Sequence, residues 1–143
     1  ELINGNSDLT DEQWEQLYSH PRLGLKMIEK TPNIPDEVRY IVYQHHEQPS
    51  GRGYPNGLAG ESIFYPARIV ALADSFSALI SNRPFRKAYS VEEAMRILNS
   101  KVGKYDHGVL QIMNSIFARR GSSRIAEIAC IVLPSPISSA SKP

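Results

Sequence analysis

Adjacent histidines, His45-His46, are followed by Glu47 and then by a loop containing Gly51, Gly53-Tyr54-Pro55 and Gly57-Leu58. Imidazole nitrogens bind divalent transition metals, and a carboxylate nearby would extend the donor set. Asp74 is such a carboxylate. It lies inside the strongly apolar run 67–80, where burying it without a cation or hydrogen-bond donors is costly. His20, just before Pro21, is a third imidazole candidate. Imidazole and carboxylate together suit Zn, Fe, Mn or Ni and do not select among them. Glu47 is placed to orient a histidine as a hydrogen-bond acceptor. Each residue also has a simpler reading: surface or core histidines, and an aspartate on a narrow solvent-facing strip beside Ser75 and Ser77.

Beyond the apolar run, Arg83, Arg86 and Lys87 form a cationic group. Such groups commonly decorate a helix C-terminus, where the dipole favours them. They could also grip phosphate, since arginine presents two parallel donors to its oxygens. Tyr54 and Pro55 fit a plain turn, or the wall of a nucleobase pocket beside that phosphate. Gly51, Gly53 and Gly57 allow backbone to approach a ligand closely.

Helices must position these groups. Thr10-Asp11-Glu12 reads as a helix start, a hydroxyl cap followed by acids. Trp14, Leu17 and Tyr18 give that helix an apolar face. Pro21 is expected to interrupt it and open a second helix over about 21–30, with His20 at the joint. Pro35-Asp36-Glu37 opens the next, in which Val38, Ile41, Val42 and His45 recur at helical spacing. Residues 47–65 show no period, and so long an irregular loop is usually functional. The run from Pro66 to Ile80 is apolar almost all round, which predicts a buried central helix. Ser90-Val91-Glu92-Glu93 is a capping box, with Val91, Ala94, Met95, Leu98 and Val102 as the stripe behind it. A last helix over about 106–120 carries Val109, Ile112, Met113 and Ile116 on one face, with Gly121 as its stop. The run 125–133 could be strand or helix, and the serine- and proline-rich stretch from Pro134 reads as a tail. The expected fold is all-α, a helical bundle of about six helices.

A chain of 143 residues with 41 % apolar and 22 % charged residues supports a globular core. The net charge of +1 argues against a DNA-binding surface. One cysteine, Cys130, excludes a disulfide framework or thiolate cluster and fits a cytoplasmic setting. No apolar run reaches membrane-spanning length. The chain opens at Glu1 without a methionine, so it is expected to belong to something longer.

In this order the residues resemble the HD-GYP family, metal-dependent phosphodiesterases of the HD superfamily that hydrolyse cyclic di-GMP. The resemblance rests on His20-Pro21, His45-His46-Glu47, the run from Gly51 to Leu58, Ala67-Arg68-Ile69, Ala73-Asp74, Arg83-Pro84-Phe85-Arg86, Gly103 and Tyr105-Asp106, from about Leu9 to Phe117. It implies an HD-domain-like helical bundle over 1–121, followed by an extension over 122–143. It implies two or three divalent ions held by His20, His45, His46 and Asp74, with Arg83 and Arg86 near the substrate phosphates and Tyr54 at the cleft edge. The ions would activate water against a phosphodiester, giving pGpG or GMP. Receiver, sensor or diguanylate-cyclase domains are the partners it implies. The family's His-Asp dyad and its helices are expected upstream of Glu1, so that this segment alone would be inactive and would expose apolar surface available for self-association. Ser50 and Ser77 stand where the family usually has aspartate. An alternative reading is therefore a degenerate module that binds cyclic di-GMP or a protein without turnover.

Overall fold

Thr10 starts the first helix through a reciprocal box: its hydroxyl accepts from the Gln13 amide while the Gln13 side chain accepts from the Thr10 amide. In the computed structural model, which describes residues 10–83 and 86–120, that helix (α1) runs unbroken over Asp11–Glu29. Pro21 lies inside it and is fully buried. The expected break at Pro21 is thus corrected to one continuous helix, and His20 sits within it rather than at a joint. The physical reason lies in Leu17. A proline cannot donate to the carbonyl four residues back, and here the Leu17 carbonyl accepts from His20 Nδ1 instead, at 2.6 Å.

Asp36–Gln44 forms α2, with two acids in its first turn and His45 as its C-terminal cap. Tyr65–Ile80 forms α3, Val91–Ser100 forms α4 and His107–Arg120 forms α5. A single 3-10 turn covers Gly60–Ser62. The described residues are all-helical apart from two isolated bridges, Ser50 with Ala59 and Arg83 with Arg86. The expected features at Pro84-Phe85 and from Gly121 onward lie outside the described residues.

Helix α3 is the hub, touching α2, α4 and α5, while α1 packs on α2. Leu72, Met95, Leu98, Tyr105 and Val109 form the core, with Phe76, Leu79, Leu110, Met113 and Phe117 against it. The Ser90 box forms as expected, and its helix buries Val91, Ala94, Met95 and Leu98. Three details differ from the sequence expectation. Val102 falls beyond the end of α4 and is 97 % exposed. In α5 the inward residues are Val109, Met113 and Phe117, at i, i+4 spacing, so Ile112 and Ile116 face out. Helix α3 is not buried all round, because Tyr65, Ile69 and Val70 remain exposed. Its apolar surface exceeds what the described residues cover. No helix among them is long and apolar enough to cross a membrane.

Candidate metal centre and its cleft

His20 from α1 meets His45 and His46 from the end of α2. Their ligand atoms lie within 4.8 Å of one another. His20 Nδ1 is bonded to the Leu17 carbonyl at 2.6 Å and His45 Nδ1 to the Val42 carbonyl at 2.8 Å. A carbonyl oxygen only accepts, so Nδ1 carries the hydrogen in both rings. The two Nε2 atoms are left to face each other at 3.3 Å, close enough to share a cation. This is the arrangement of metal-binding histidines whose far nitrogen is held by an outer hydrogen bond.

His46 is pushed down to about 4 by burial first, then by His45, His20 and Lys104. Its imidazole is neutral at neutral pH, the form that donates to a metal. Its ring stacks on Tyr54 at 4.8 Å and 22°. Tyr54 in turn meets Tyr18, and Tyr18 stacks on Trp14. Burial, then Tyr18 and Asp74, push the Tyr54 phenol up to about 12, so it is a neutral donor.

The loop that carries Tyr54 is built around Glu47, 2 % exposed. Its carboxylate accepts from the Asn56 amide at 2.7 Å and the Leu58 amide at 2.9 Å. Glu47 therefore organises the loop, while backbone carbonyls orient His20 and His45. A Cβ on Gly53 would come within 2.5 Å of Glu47 Cα, so only glycine lets the loop backbone cross there. Gly51 and Gly57 have φ of 76° and 68°. The Tyr54-Pro55 peptide is cis, and Arg22 and Tyr43 pin Pro55 and Asn56 from α1 and α2.

Asp74 is exposed and lies outside the histidine group. It stands one turn beyond Ala71, which lines the cleft, and its charge bears on Tyr54. Arg86 closes the end of α3, donating to the carbonyls of Ala78, Leu79 and Lys87 and lying 4.3 Å from the Tyr89 ring. Arg83 and Arg86 both line a second cavity, of ≈ 350 Å³. It adjoins a first cavity, of ≈ 240 Å³, bounded by Trp14, Tyr18, His45, His46 and Tyr54.

Sequence reasoning missed the parts played by four residues. Trp14 and Tyr18 read as a packing face but line the cleft. Lys104 lines both cavities. Arg68 pairs with Asp106 at 3.0 Å and ties α3 to α5. Asp106 is held below the usual carboxylate range: burial opposes this, but the Val109 amide and Arg68 outweigh it. The i, i+4 spacing of Trp14 and Tyr18, both open to solvent, was the one signal available for them.

The HD domain family profile matches residues 1–109, most of the chain. The chain belongs to the HD domain family. Its histidine pair and Gly-Tyr-Pro loop are those of the HD-GYP branch. It is 39 % identical over 97 residues to the cyclic di-GMP phosphodiesterase response regulator RpfG of Xanthomonas campestris pv. campestris, covering 67 % of this chain and 26 % of that protein. It is 44 % identical over 71 residues to 3'3'-cGAMP-specific phosphodiesterase 1 of Vibrio cholerae, covering 48 % and 16 %. The chain thus spans about a quarter or less of these relatives. The solved structure of Bd1817, an HDG"Y"P protein from Bdellovibrio bacteriovorus, superposes with a TM-score of 0.63 at 24 % identity, over 82 % of this chain and 37 % of that one. That likeness is one of fold.

One prediction arises from Pro21. Pro21→Ala restores an amide that competes with His20 for the Leu17 carbonyl. We expect the His20 ring to lose its single Nδ1–H form in nitrogen NMR, and metal affinity to fall about tenfold. A ring that keeps one tautomer, together with unchanged metal affinity, would show that the proline has no such part.

Proposed function

We propose that the chain forms part of a metal-dependent phosphodiesterase site of a longer protein, with cyclic di-GMP as substrate and pGpG or GMP as product. The observation that carries this reading is the convergence of the three imidazoles, with the Nε2 atoms of His20 and His45 facing each other at 3.3 Å and both Nδ1 atoms bonded to carbonyls. His20, His45 and His46 would hold a divalent transition metal (Fe, Mn, Ni or Zn), with Asp74 on the adjacent helix flank completing the donor set. A metal ion bound there supplies Lewis-acid stabilisation of charge at the phosphodiester. The chain's own residues bind and orient. Tyr54, backed by Tyr18 and Trp14, offers an aromatic wall for a nucleobase, and stacking of this kind contributes roughly 1–3 kcal/mol per base. Arg83 and Arg86 place positive charge where the substrate's phosphates would lie. A second-messenger substrate sets the chain in the cytoplasm.

The test is made on the protein at its natural length. Metal content is measured after purification, and cyclic di-GMP and 3'3'-cGAMP are incubated separately with the metal-loaded protein. Bound transition metal with faster conversion of cyclic di-GMP supports the reading. Bound metal with preference for 3'3'-cGAMP moves the substrate. No metal and no loss of either nucleotide would leave a binding module, the outcome that the neutral Ser50 and Ser77 would then explain.

A further inference from the structure

The cavity beyond the metal centre carries an excess of positive charge that the two arginines do not account for. Arg83, Arg86, Lys101 and Lys104 line it, and no carboxylate does. Arg86 directs donors of both terminal nitrogens to backbone carbonyls. Among the described residues no carboxylate pairs with Lys101 or Lys104. Lys104 is the cation common to this cavity and the histidine cleft, which meet along Ser75, Lys104 and Tyr105.

The turn that presents Lys104 is held from several sides. The Ser50 amide, in the histidine loop, donates to the Gly103 carbonyl at 3.0 Å. Gly103 has a φ of 74°, the left-handed region that glycine adopts without strain. The Lys104 amide returns to the Lys101 carbonyl at 3.2 Å. Tyr105 is anchored in the core, and Asp106 is bound by Arg68. Lys104 Nζ lies 5.4 Å from the Tyr105 ring centroid. The backbone under the lysine is thus fixed while its ammonium meets no carboxylate of the described residues, the condition under which a point charge is available to a phosphate.

We propose that Lys104 is a positioning residue that grips a phosphate at the junction of the two cavities, with Lys101 and Arg83 around the same anion. In a cyclic dinucleotide this would be the phosphate that is not being cleaved. The assignment of that phosphate rests on the proposed function; the anion site itself does not.

The experiment uses the protein at its natural length with two probes, inorganic pyrophosphate in chelator and cyclic di-GMP with metal. Lys104→Met is expected to weaken pyrophosphate binding about tenfold and to lessen its salt dependence. Lys104→Arg should restore most of it. With cyclic di-GMP the same change should raise KM with little change in kcat, and metal content should equal that of the unaltered protein. Equal pyrophosphate affinity in the unaltered and Lys104→Met proteins, or none in either, overturns the inference. Lys104-dependent pyrophosphate binding without turnover of cyclic di-GMP keeps the anion site and rejects the phosphodiesterase reading.

Discussion

His45→Ala is expected to strip the candidate centre of metal, lowering affinity roughly 100-fold or more, beyond what loss of an outer hydrogen bond causes. The ring faces His20 across 3.3 Å and reaches the Val42 carbonyl with its other nitrogen. Alanine removes one of the three imidazole donors of the group. It does not remove the end of α2, because the capping bond from the His45 amide to the Ile41 carbonyl belongs to the backbone. The metal-free variant should therefore melt close to the metal-free parent, with a loss of about 1 kcal/mol for the Val42 bond. His107→Ala is the control: that ring is exposed on α5 and bonded to Gln111, and its removal should leave metal content unaltered. Elemental analysis of the purified proteins checks both. Full metal occupancy in the His45 variant would reject the centre.

What the sequence made legible was local. Thr10 and Ser90 announce their helices because a capping hydroxyl acts over three residues. His45 and His46 announce a centre because adjacency brings two imidazoles together before any folding. The failures have a different origin. Pro21 breaks helices by rule, and the rule does not contain His20 repairing the bond the proline cannot make. Glu47 next to a histidine pair looks like its partner, yet the loop curls back and the carboxylate meets Asn56 and Leu58. Arg86 is open in sequence to two readings, a helix-end cation or a phosphate clamp, and its bonds to the Ala78 and Leu79 carbonyls make it a cap of α3. Lys104 carries no local signal, since its position depends on the docking of Gly103 against Ser50. Helix faces blur for a similar reason. The face of α5 that packs is chosen by where α3 and α4 leave room, so Met113 and Phe117 turn inward and Ile116 does not.

Glu47 also separates the loop from the metal. Glu47→Gln keeps the shape of the side chain but turns one acceptor into an amide donor. Either the Asn56 or the Leu58 amide then meets a donor inside a buried site and loses its bond to the carboxylate. An unsatisfied buried amide costs about 1–3 kcal/mol, and the lost charge-assisted bond adds to it, so the variant should be less stable by about 3 kcal/mol in denaturant unfolding. His20 and His45 are oriented by Leu17 and Val42 on helices α1 and α2, and of the three rings it is His46 that stacks on the loop, through Tyr54. Metal affinity should consequently stay within about threefold of the parent under conditions where the variant is folded, on the scale where tenfold is 1.4 kcal/mol. Tyr54 is different: it rides on the loop, so cyclic di-GMP affinity should fall by tenfold or more. Loss of stability and nucleotide affinity with retained metal is a pattern that general unfolding cannot produce. Metal lost in step with stability would instead mean that the loop holds the histidines, and the division of labour drawn from the hydrogen bonds would have to be abandoned.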